Sequence, residues 1–283
     1  PTMINPAPQI SALARLSTFL SKTGTLSYVN NVPVTGAKGA AGNGVYYPTG
    51  AVVMPPQRLL WERISEAPDL TYLKAAVERA DSGLSAQELK DPEKSMVTLF
   101  SSFGPNITLF APTDAVFKAT LYAMAYPSVR AFIYAQQKAG GSSDENAAAA
   151  ADANAPAETT KLTSTTAVFS NPLLYSVLSA KTIKGLLAYH IIGTTCFTNN
   201  FSTSATEVPT LLSLVLGAAA PKLTIKATFT GPSVSALTIK GAVNATPANV
   251  TINPLPEPGG SSDQLYVNGT LHKIDQILLP LQL

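Results

Sequence analysis

The side chains that could carry out nucleophilic or metal chemistry are few in this sequence. It has one cysteine, Cys196, and two histidines, His190 and His272. A cysteine nucleophile needs a neighbouring base, and only these two histidines could serve. A lone cysteine is more often a small buried apolar side chain, which is the role we favour for Cys196. A single cysteine also excludes a disulfide within the chain.

His272, Asp275 and Asn268 suggest a metal site or a catalytic triad. Asn268 begins an Asn-Gly pair, which is a strong signal for a hairpin turn, so the other two residues are expected on the following strand. Side chains alternate along a strand, which places His272 and Asp275 on opposite faces and argues against joint ligation. With so few histidines and cysteines, zinc has little to bind, and we expect no metal and no other cofactor.

Tyr189, His190 and Asp114 are the candidate binding residues. Tyr189 and His190 end a predicted helix, where the imidazole can satisfy a backbone carbonyl and the tyrosine can pack with one end in water. Asp114 begins a helix, where its negative charge favours the helix dipole. These structural roles are the simpler interpretation, and contact with a partner is the alternative.

Familiar catalytic motifs are missing from the sequence. It has no G-x-S-x-G, H-E-x-x-H, G-x-x-x-x-G-K-[ST] or G-x-G-x-x-G pattern. Carboxylates are sparse, and neither Asp114 nor Asp275 has a partner evident from the sequence. We therefore predict that the chain is not an enzyme.

Composition narrows the class of partner. Charged residues make up 13% of the chain, about half the usual share in a soluble globular protein. Such a neutral, hydroxyl-rich surface is typical of extracytoplasmic proteins. The net charge of +2 comes without a basic cluster, so we predict no nucleic-acid partner. No run of about 18 apolar residues occurs, so no segment is predicted to span a membrane.

Pro55-Pro56 marks the predicted domain boundary, because this pair can continue neither a helix nor a strand ladder. We assign residues 1–56 to a first unit and residues 57–283 to a complete domain. The first unit is predicted to contain an amphipathic helix at 9–20, a hairpin at 26–34, a loop at 36–44, and β segments at 45–47 and 51–54.

Beyond the boundary, helical patterns come first and strand patterns later, which is typical of an α+β fold. Helices are predicted at 58–64, 70–80, 115–126 and 183–189, with Asp69 and Thr113 as N-caps and a short helix starting at Ser85. Strands are predicted at 107–111, 208–215, 223–229, 237–239, 250–252, 265–267 and 273–279.

Residues 137–166 interrupt this order. Their central stretch, residues 140–160, has no aromatic or large aliphatic side chain. It cannot bury enough apolar area to offset the entropy of ordering. We expect a low-complexity surface insertion that is flexible or weakly helical.

Three sequence islands, in this order, resemble the fasciclin (FAS1) family. Residues 108–117, TLFAPTDAVF, are similar to its first signature, with Val116 where alanine is usual. Residues 186–192, LLAYHII, resemble its Tyr-His block, and residues 265–280, LYVNGTLHKIDQILLP, resemble its closing hairpin. The resemblance covers Trp61–Leu283 apart from the insertion. Residues 28–56 resemble the tail of a preceding repeat, with Tyr47-Pro48 where His-Ile is expected, so residues 1–56 are either such a tail or an N-terminal extension of the domain.

The resemblance implies an α+β wedge or sandwich of about seven strands with several packed helices. It also implies a non-catalytic adhesion module that contacts a protein or glycan at a cell surface or matrix; in some animal members the Tyr-His region is connected with integrin binding. We expect an extracytoplasmic, bacterial protein, at the surface, in the periplasm or secreted, with a lipoprotein anchor upstream as one possibility. The alternatives are a spacer repeat of a multi-domain surface protein and a polysaccharide-acting enzyme.

Overall fold

The computed structural model describes residues 18–256 and 258–281, and within them the predicted α+β class is confirmed. The strands are β1 Leu20–Thr23, β2 Leu26–Val29, β3 Val32–Pro33, β4 Gly39–Ala41, β5 Gly44–Tyr46, β6 Ile107–Pro112, β7 Ile191–Ile192, β8 Thr206–Val208, β9 Leu223–Thr230, β10 Ser233–Lys240, β11 Ala248–Asn249, β12 Gln264–Tyr266 and β13 Gly269–Ile274. The α-helices are α1 Leu60–Glu66, α2 Thr71–Ala80, α3 Met96–Ser101, α4 Asp114–Ala139, α5 Asp144–Thr163, α6 Ala180–Tyr189 and α7 Leu212–Leu216.

A buried four-stranded sheet with the order β12-β13-β6-β7 forms the centre of the molecule. β13 runs parallel to β6, with His272 opposite Phe110, and the outer strands pair antiparallel. All residues of β6 are buried, because other elements cover both faces of this strand. This explains why residues 107–112 form an almost continuous apolar run without the alternation of a half-exposed strand.

A second sheet, with the order β11-β10-β9-β8, is antiparallel throughout. Along β9, Leu223, Ile225 and Ala227 point inward and the residues between them point to solvent, as expected of a half-buried strand. A bridge between Val250 and Ile274 connects this sheet to β13. Beyond Pro56 the described residues form eight strands in two sheets, close to the seven predicted.

The three sequence islands meet in one interior, as predicted. The ring of Phe110 lies 6.3 Å from that of Phe201 and 5.8 Å from that of His272. On the other side of the strand-to-helix turn, Phe117 packs against Phe169 at 6.4 Å. Side chains from all three islands belong to a single buried cluster, which includes Phe110, Phe117, Tyr189, Ile191, Leu271 and Ile274.

The described N-terminal residues form a small sheet, β1-β2-β3, and a hairpin, β4–β5, beside the domain. The buried Tyr28 donates its hydroxyl to the Pro232 carbonyl at 2.8 Å, and Thr23 donates to the Asn199 carbonyl at 2.8 Å. These bonds hold residues 20–33 against the β9–β10 turn and the loop between β7 and β8. The division of the chain at Pro55-Pro56 stays a prediction.

Several predicted elements of this N-terminal part differ from the structure. Of the helix predicted at 9–20, residues 9–17 lie outside the described residues, and Leu20 begins β1. The loop predicted at 36–44 contains β4, which pairs with β5. Residues 51–54 form no strand, although their sequence is apolar, because no neighbouring strand pairs with them. The hairpin predicted at 26–34 is confirmed as β2 and β3.

α4 and α5 correct two predictions. α4 continues through Pro127 to Ala139 instead of ending at Tyr126, and α5 is a regular helix with a buried face. Every fourth residue of α5 is buried: Ala147, Ala151, Ala155, Thr159 and Thr163. Ion pairs between Arg130 and Asp152 at 2.5 Å and between Lys138 and Asp144 at 2.8 Å join the two helices. The prediction of a flexible insertion considered only the apolar area of large side chains. A stripe of small side chains stabilises a helix in another way, because it lets two helix backbones pack closely.

Replacing Ala151 by leucine should destabilise the chain by about 1–3 kcal/mol, because the added methyl groups have no space between α4 and α5. Ala153, two positions from both Ala151 and Ala155, is exposed, and Ala153→Leu should change stability by less than about 0.5 kcal/mol. Urea unfolding of both variants measures the difference. Equal stabilities would contradict the packed arrangement of the two helices.

The strand predicted at 208–215 is wrong beyond Val208, where β8 ends. Pro209 has no N–H for a ladder, and Ser213 then donates its backbone N–H and its hydroxyl to the Thr210 carbonyl at 3.0 and 2.7 Å, which begins α7. The strand predicted at 273–279 lies earlier, as β13. No helix among the described residues is long and apolar enough to cross a membrane.

Candidate binding site

Tyr189 is fully buried at the end of α6. Its hydroxyl donates to the Lys222 carbonyl at 2.9 Å and accepts from the Ala242 N–H at 2.9 Å. Burial raises the pKa of this hydroxyl above its ordinary value, so it stays protonated. The tyrosine therefore has no end in water, contrary to expectation, and instead ties two loops of the second sheet to α6.

His190 is buried beside it, with 2% of its surface exposed. Nδ1 lies 2.8 Å from the Leu186 carbonyl, and Nε2 lies 2.9 Å from the Leu278 N–H. A carbonyl can only accept and an N–H can only donate, so Nδ1 carries the proton and the ring is neutral. Burial lowers the pKa of His190 to about 4. The predicted bond to a backbone carbonyl is thus present.

Asp114 caps a helix other than its own. Its carboxylate accepts from the Thr71 hydroxyl at 2.6 Å and from the Tyr72 N–H at 2.9 Å, which lie in the first turn of α2. Asp69, the predicted cap of α2, forms an ion pair with Lys273 at 2.7 Å. Thr113 stands at the N-cap of α4 as predicted but makes no side-chain capping bond there.

Replacing Asp114 by alanine should destabilise the chain by about 1 kcal/mol, because the α2 amides lose their acceptor. Glu78, an exposed residue of the same helix, provides the control, and Glu78→Ala should change stability by less than about 0.5 kcal/mol. Thermal unfolding measures both. A neutral effect of Asp114→Ala would show that the α2 terminus does not depend on this carboxylate.

His272 lies near Asp263 and Cys196 without forming a catalytic arrangement. Its Nδ1 accepts from the Asp263 N–H at 3.1 Å, and its Nε2 donates to the carbonyl of Cys196, not to the thiol, at 3.0 Å. The Asp263 carboxylate accepts from the backbone and hydroxyl of Thr198. Burial lowers the pKa of His272, although the negative charge of Asp263 acts in the opposite direction. Burial raises the pKa of the Cys196 thiol.

Asp275 and Asn268 belong to other networks. Asp275 accepts from the backbone and side chain of Asn249 at 2.7 and 2.8 Å, so it is separated from His272 as predicted. The Asn268 amide accepts from the Leu60 N–H at 3.0 Å and donates to the Phe100 carbonyl at 2.8 Å. No group of three or more metal-binding side chains occurs among residues 18–256 and 258–281.

The structure contains a groove of about 830 Å³, which we call the β12 groove, and Asp263 is among its lining residues. One wall is the extended segment 50–58, and the other is formed by residues 254–256 and β12. Its lining includes exposed apolar side chains, among them Val52, Met54 and Leu255. Tyr189, His190 and Asp114 do not line it.

β12 is the outer strand of its sheet, and Leu265 of this strand lines the groove. Tyr266 pairs with Gly269 and Gln264 with Leu271, which directs the backbone N–H and C=O of Leu265 away from β13. The Val267 N–H also points outward, and it donates to the Arg58 carbonyl at 2.9 Å. Pro55 and Pro56 of the same wall have no N–H, so they cannot donate to this edge. No backbone hydrogen bond joins the N–H or C=O of Leu265 to segment 50–58.

No local pattern in the sequence indicates this groove. The Pro55-Pro56 pair was interpreted only as a boundary, and the groove arises because residues 50–58 pack beside residues some 200 positions later in the chain. The strand at 265–267 was predicted, but its position at the sheet edge depends on β13 lying beside β6.

No protein-family model matches the chain, and no curated protein matches it in sequence. Among solved structures, it is similar to a FAS1 domain pair from the insect cell adhesion molecule fasciclin I, with 14% identity and a TM-score of 0.42. The match covers 93% of this chain and 66% of that one, so the chain spans about two thirds of the length of that structure. This is the family that the three sequence islands resemble.

Proposed function

We propose that this chain is an extracytoplasmic, non-catalytic adhesion module that holds an extended segment of a partner protein in the β12 groove. The observation that carries the proposal is the backbone of Leu265, which faces away from β13 at the groove and makes no backbone hydrogen bond to segment 50–58. An extended peptide can add to a sheet edge through main-chain hydrogen bonds, and flanking pockets then select its side chains.

The lining of the groove favours a peptide with apolar side chains. Val52, Met54 and Leu255 expose 77%, 52% and 63% of their surface around it. Clustered exposed apolar side chains on a folded domain are typical of interaction sites. Backbone groups at the edge and apolar side chains at the walls together suit an extended apolar segment better than a charged ligand.

The three candidate residues from the sequence motifs stabilise the fold that supports the groove. The side chains of Tyr189, His190 and Asp114 each bond to groups within the chain, which fixes α6, α2 and the loops beside them. Contact of these three residues with a partner stays a prediction. Under this proposal they act at a distance from the groove, by keeping the sheets in register.

The test exploits the edge position of Leu265. Proline is tolerated on an edge strand where the N–H faces outward, so Leu265→Pro removes the groove-facing donor and leaves the ladder to β13 intact. Leu265→Ala is the matched control, because it keeps the N–H. Peptides selected on the full chain from a displayed library of random dodecamers serve as probes, and binding is measured by fluorescence polarisation.

We expect Leu265→Pro to weaken peptide binding by about tenfold or more, and Leu265→Ala to weaken it much less. Selection of no peptide, or equal binding by both variants, would overturn the proposal. Binding to immobilised glycans without peptide binding would favour the glycan partner predicted from the sequence, and binding to neither would favour a spacer.

A further inference from the structure

Six consecutive residues of the second half of the domain, 214–219, are exposed and have no polar side chain. We call this segment, LVLGAA, the apolar tip. Leu214, Val215 and Leu216 expose 80%, 73% and 50% of their surface. Single exposed apolar residues are common on proteins, but a contiguous run of them marks a surface that meets another apolar phase.

The apolar tip is held outward by anchors at both ends. Before it, Leu212 is buried, and the Leu211 N–H donates to the Ile191 carbonyl at 2.8 Å. Within it, Gly217 has a φ of 67°, a left-handed conformation that favours glycine and turns the chain. After it, Ala220 is buried again. The exposure of the tip is thus built into the fold.

A second loop extends this apolar surface. Ala242 and Val243 are exposed, with Val243 at 43%. The Tyr189 hydroxyl binds both the Lys222 carbonyl, just after the tip, and the Ala242 N–H. The two loops therefore lie side by side, and the buried tyrosine fixes their spacing.

The stretch of chain that contains the two loops carries mainly positive charges. Residues 201–250 contain three lysines, Lys222, Lys226 and Lys240, and one carboxylate, Glu207. Lys222 follows the tip, and the exposed Lys240 precedes the second loop. Glu207 pairs with Lys222 at 3.0 Å. Lys226 on β9 and Lys240 on β10 carry the other positive charges of this stretch.

We infer that the apolar tip docks this domain on an anionic lipid surface. Leucine and valine side chains at the end of a loop can enter the boundary between headgroups and acyl chains, as apolar faces of peripheral proteins do. Lysines at the base of the loops would then lie among the anionic headgroups, where each adds to the attraction. We favour a lipid surface over a protein partner with an acidic rim, because the lipid surface supplies both the apolar phase and the negative charge.

Vesicle binding of the full chain tests this inference. Flotation is measured with vesicles of phosphatidylcholine alone and of phosphatidylcholine mixed with phosphatidylglycerol. The test variant is Leu214→Ser combined with Leu216→Ser. Leu20→Ser is the control, because Leu20 is 78% exposed but lies on β1. All of these side chains are exposed, so each variant should fold, which circular dichroism confirms.

We expect binding to the anionic vesicles, and a loss of more than about tenfold in the double serine variant. Lys240→Gln should weaken binding by about fivefold at low salt, and Leu20→Ser should leave it unchanged. Failure of the unaltered chain to float with anionic vesicles would overturn the inference, as would an equal loss in Leu20→Ser. Self-association through the tip would overturn it as well. It would appear as a dimer that the double serine variant abolishes, in a chain that binds no vesicles.

Discussion

Acidification from pH 7 to about 4 should destabilise the folded chain by about 3 kcal/mol through His190 alone. In the unfolded chain this histidine takes up a proton near its ordinary pKa of 6.5, whereas in the folded chain burial lowers its pKa to about 4. The unfolded state therefore binds more protons between these values, and stability is lost as the pH falls through this window. Burial lowers the pKa of His272 as well, so it acts in the same direction.

Urea unfolding at pH 7 and at about pH 4.5 measures this dependence, and His190→Gln provides the comparison. Glutamine does not titrate, and its oxygen can still accept the bond from Leu278, so the variant separates protonation from loss of that bond. The variant should be less stable at pH 7 but should lose less stability on acidification than the unaltered chain. An identical pH dependence in both would show that the proton is not excluded from His190.

Replacement of Asn268 by alanine should destabilise the chain by about 3 kcal/mol. Its amide accepts from the Leu60 N–H and donates to the Phe100 carbonyl, and no part of the side chain is exposed. The change leaves two buried backbone groups without partners, each at a cost of about 1–3 kcal/mol. The loss is large because one side chain joins α1, α3 and the β12–β13 hairpin.

Two further variants sharpen this test. Asn268→Asp keeps an acceptor for Leu60 but loses the donor and buries a carboxylate, so it should destabilise the chain at pH 7 at least as much as alanine. Asn249→Ala removes an exposed amide that bonds to Asp275, and it should cost less than about 1 kcal/mol. Similar losses in Asn249→Ala and Asn268→Ala would contradict the central position of Asn268.

The sequence predicts those parts of the fold that are determined by local pattern. The fully buried β6, the alternating β9 and the amphipathic α2 and α6 all carry their own periodicity, and each is present near its predicted bounds. The common interior of the three islands was also predicted, because the family resemblance fixed their relation. These features depend on apolar side chains whose spacing is visible in the chain itself.

The features that the sequence did not predict depend on contacts between distant residues. The alanines of α5 stabilise this helix by packing against α4, so their contribution is evident only once the neighbouring helix is known. Asp114 was expected at its own helix, but the fold brings the start of α2 within hydrogen-bond distance of its carboxylate. Residues 50–58, 254–256 and 263–266 line the β12 groove, and no local pattern indicates their proximity.

The burial of Asn268 has a consequence for glycosylation. Five N-x-[ST] acceptor sequences occur, at Asn106, Asn200, Asn244, Asn249 and Asn268. Asn268 is fully buried and Asn244 is 9% exposed, with its amide bonded to Ile277 and Leu279. An oligosaccharide on either amide is incompatible with the closed core, whereas the exposed Asn106, Asn200 and Asn249 can each carry one at the surface of the folded chain.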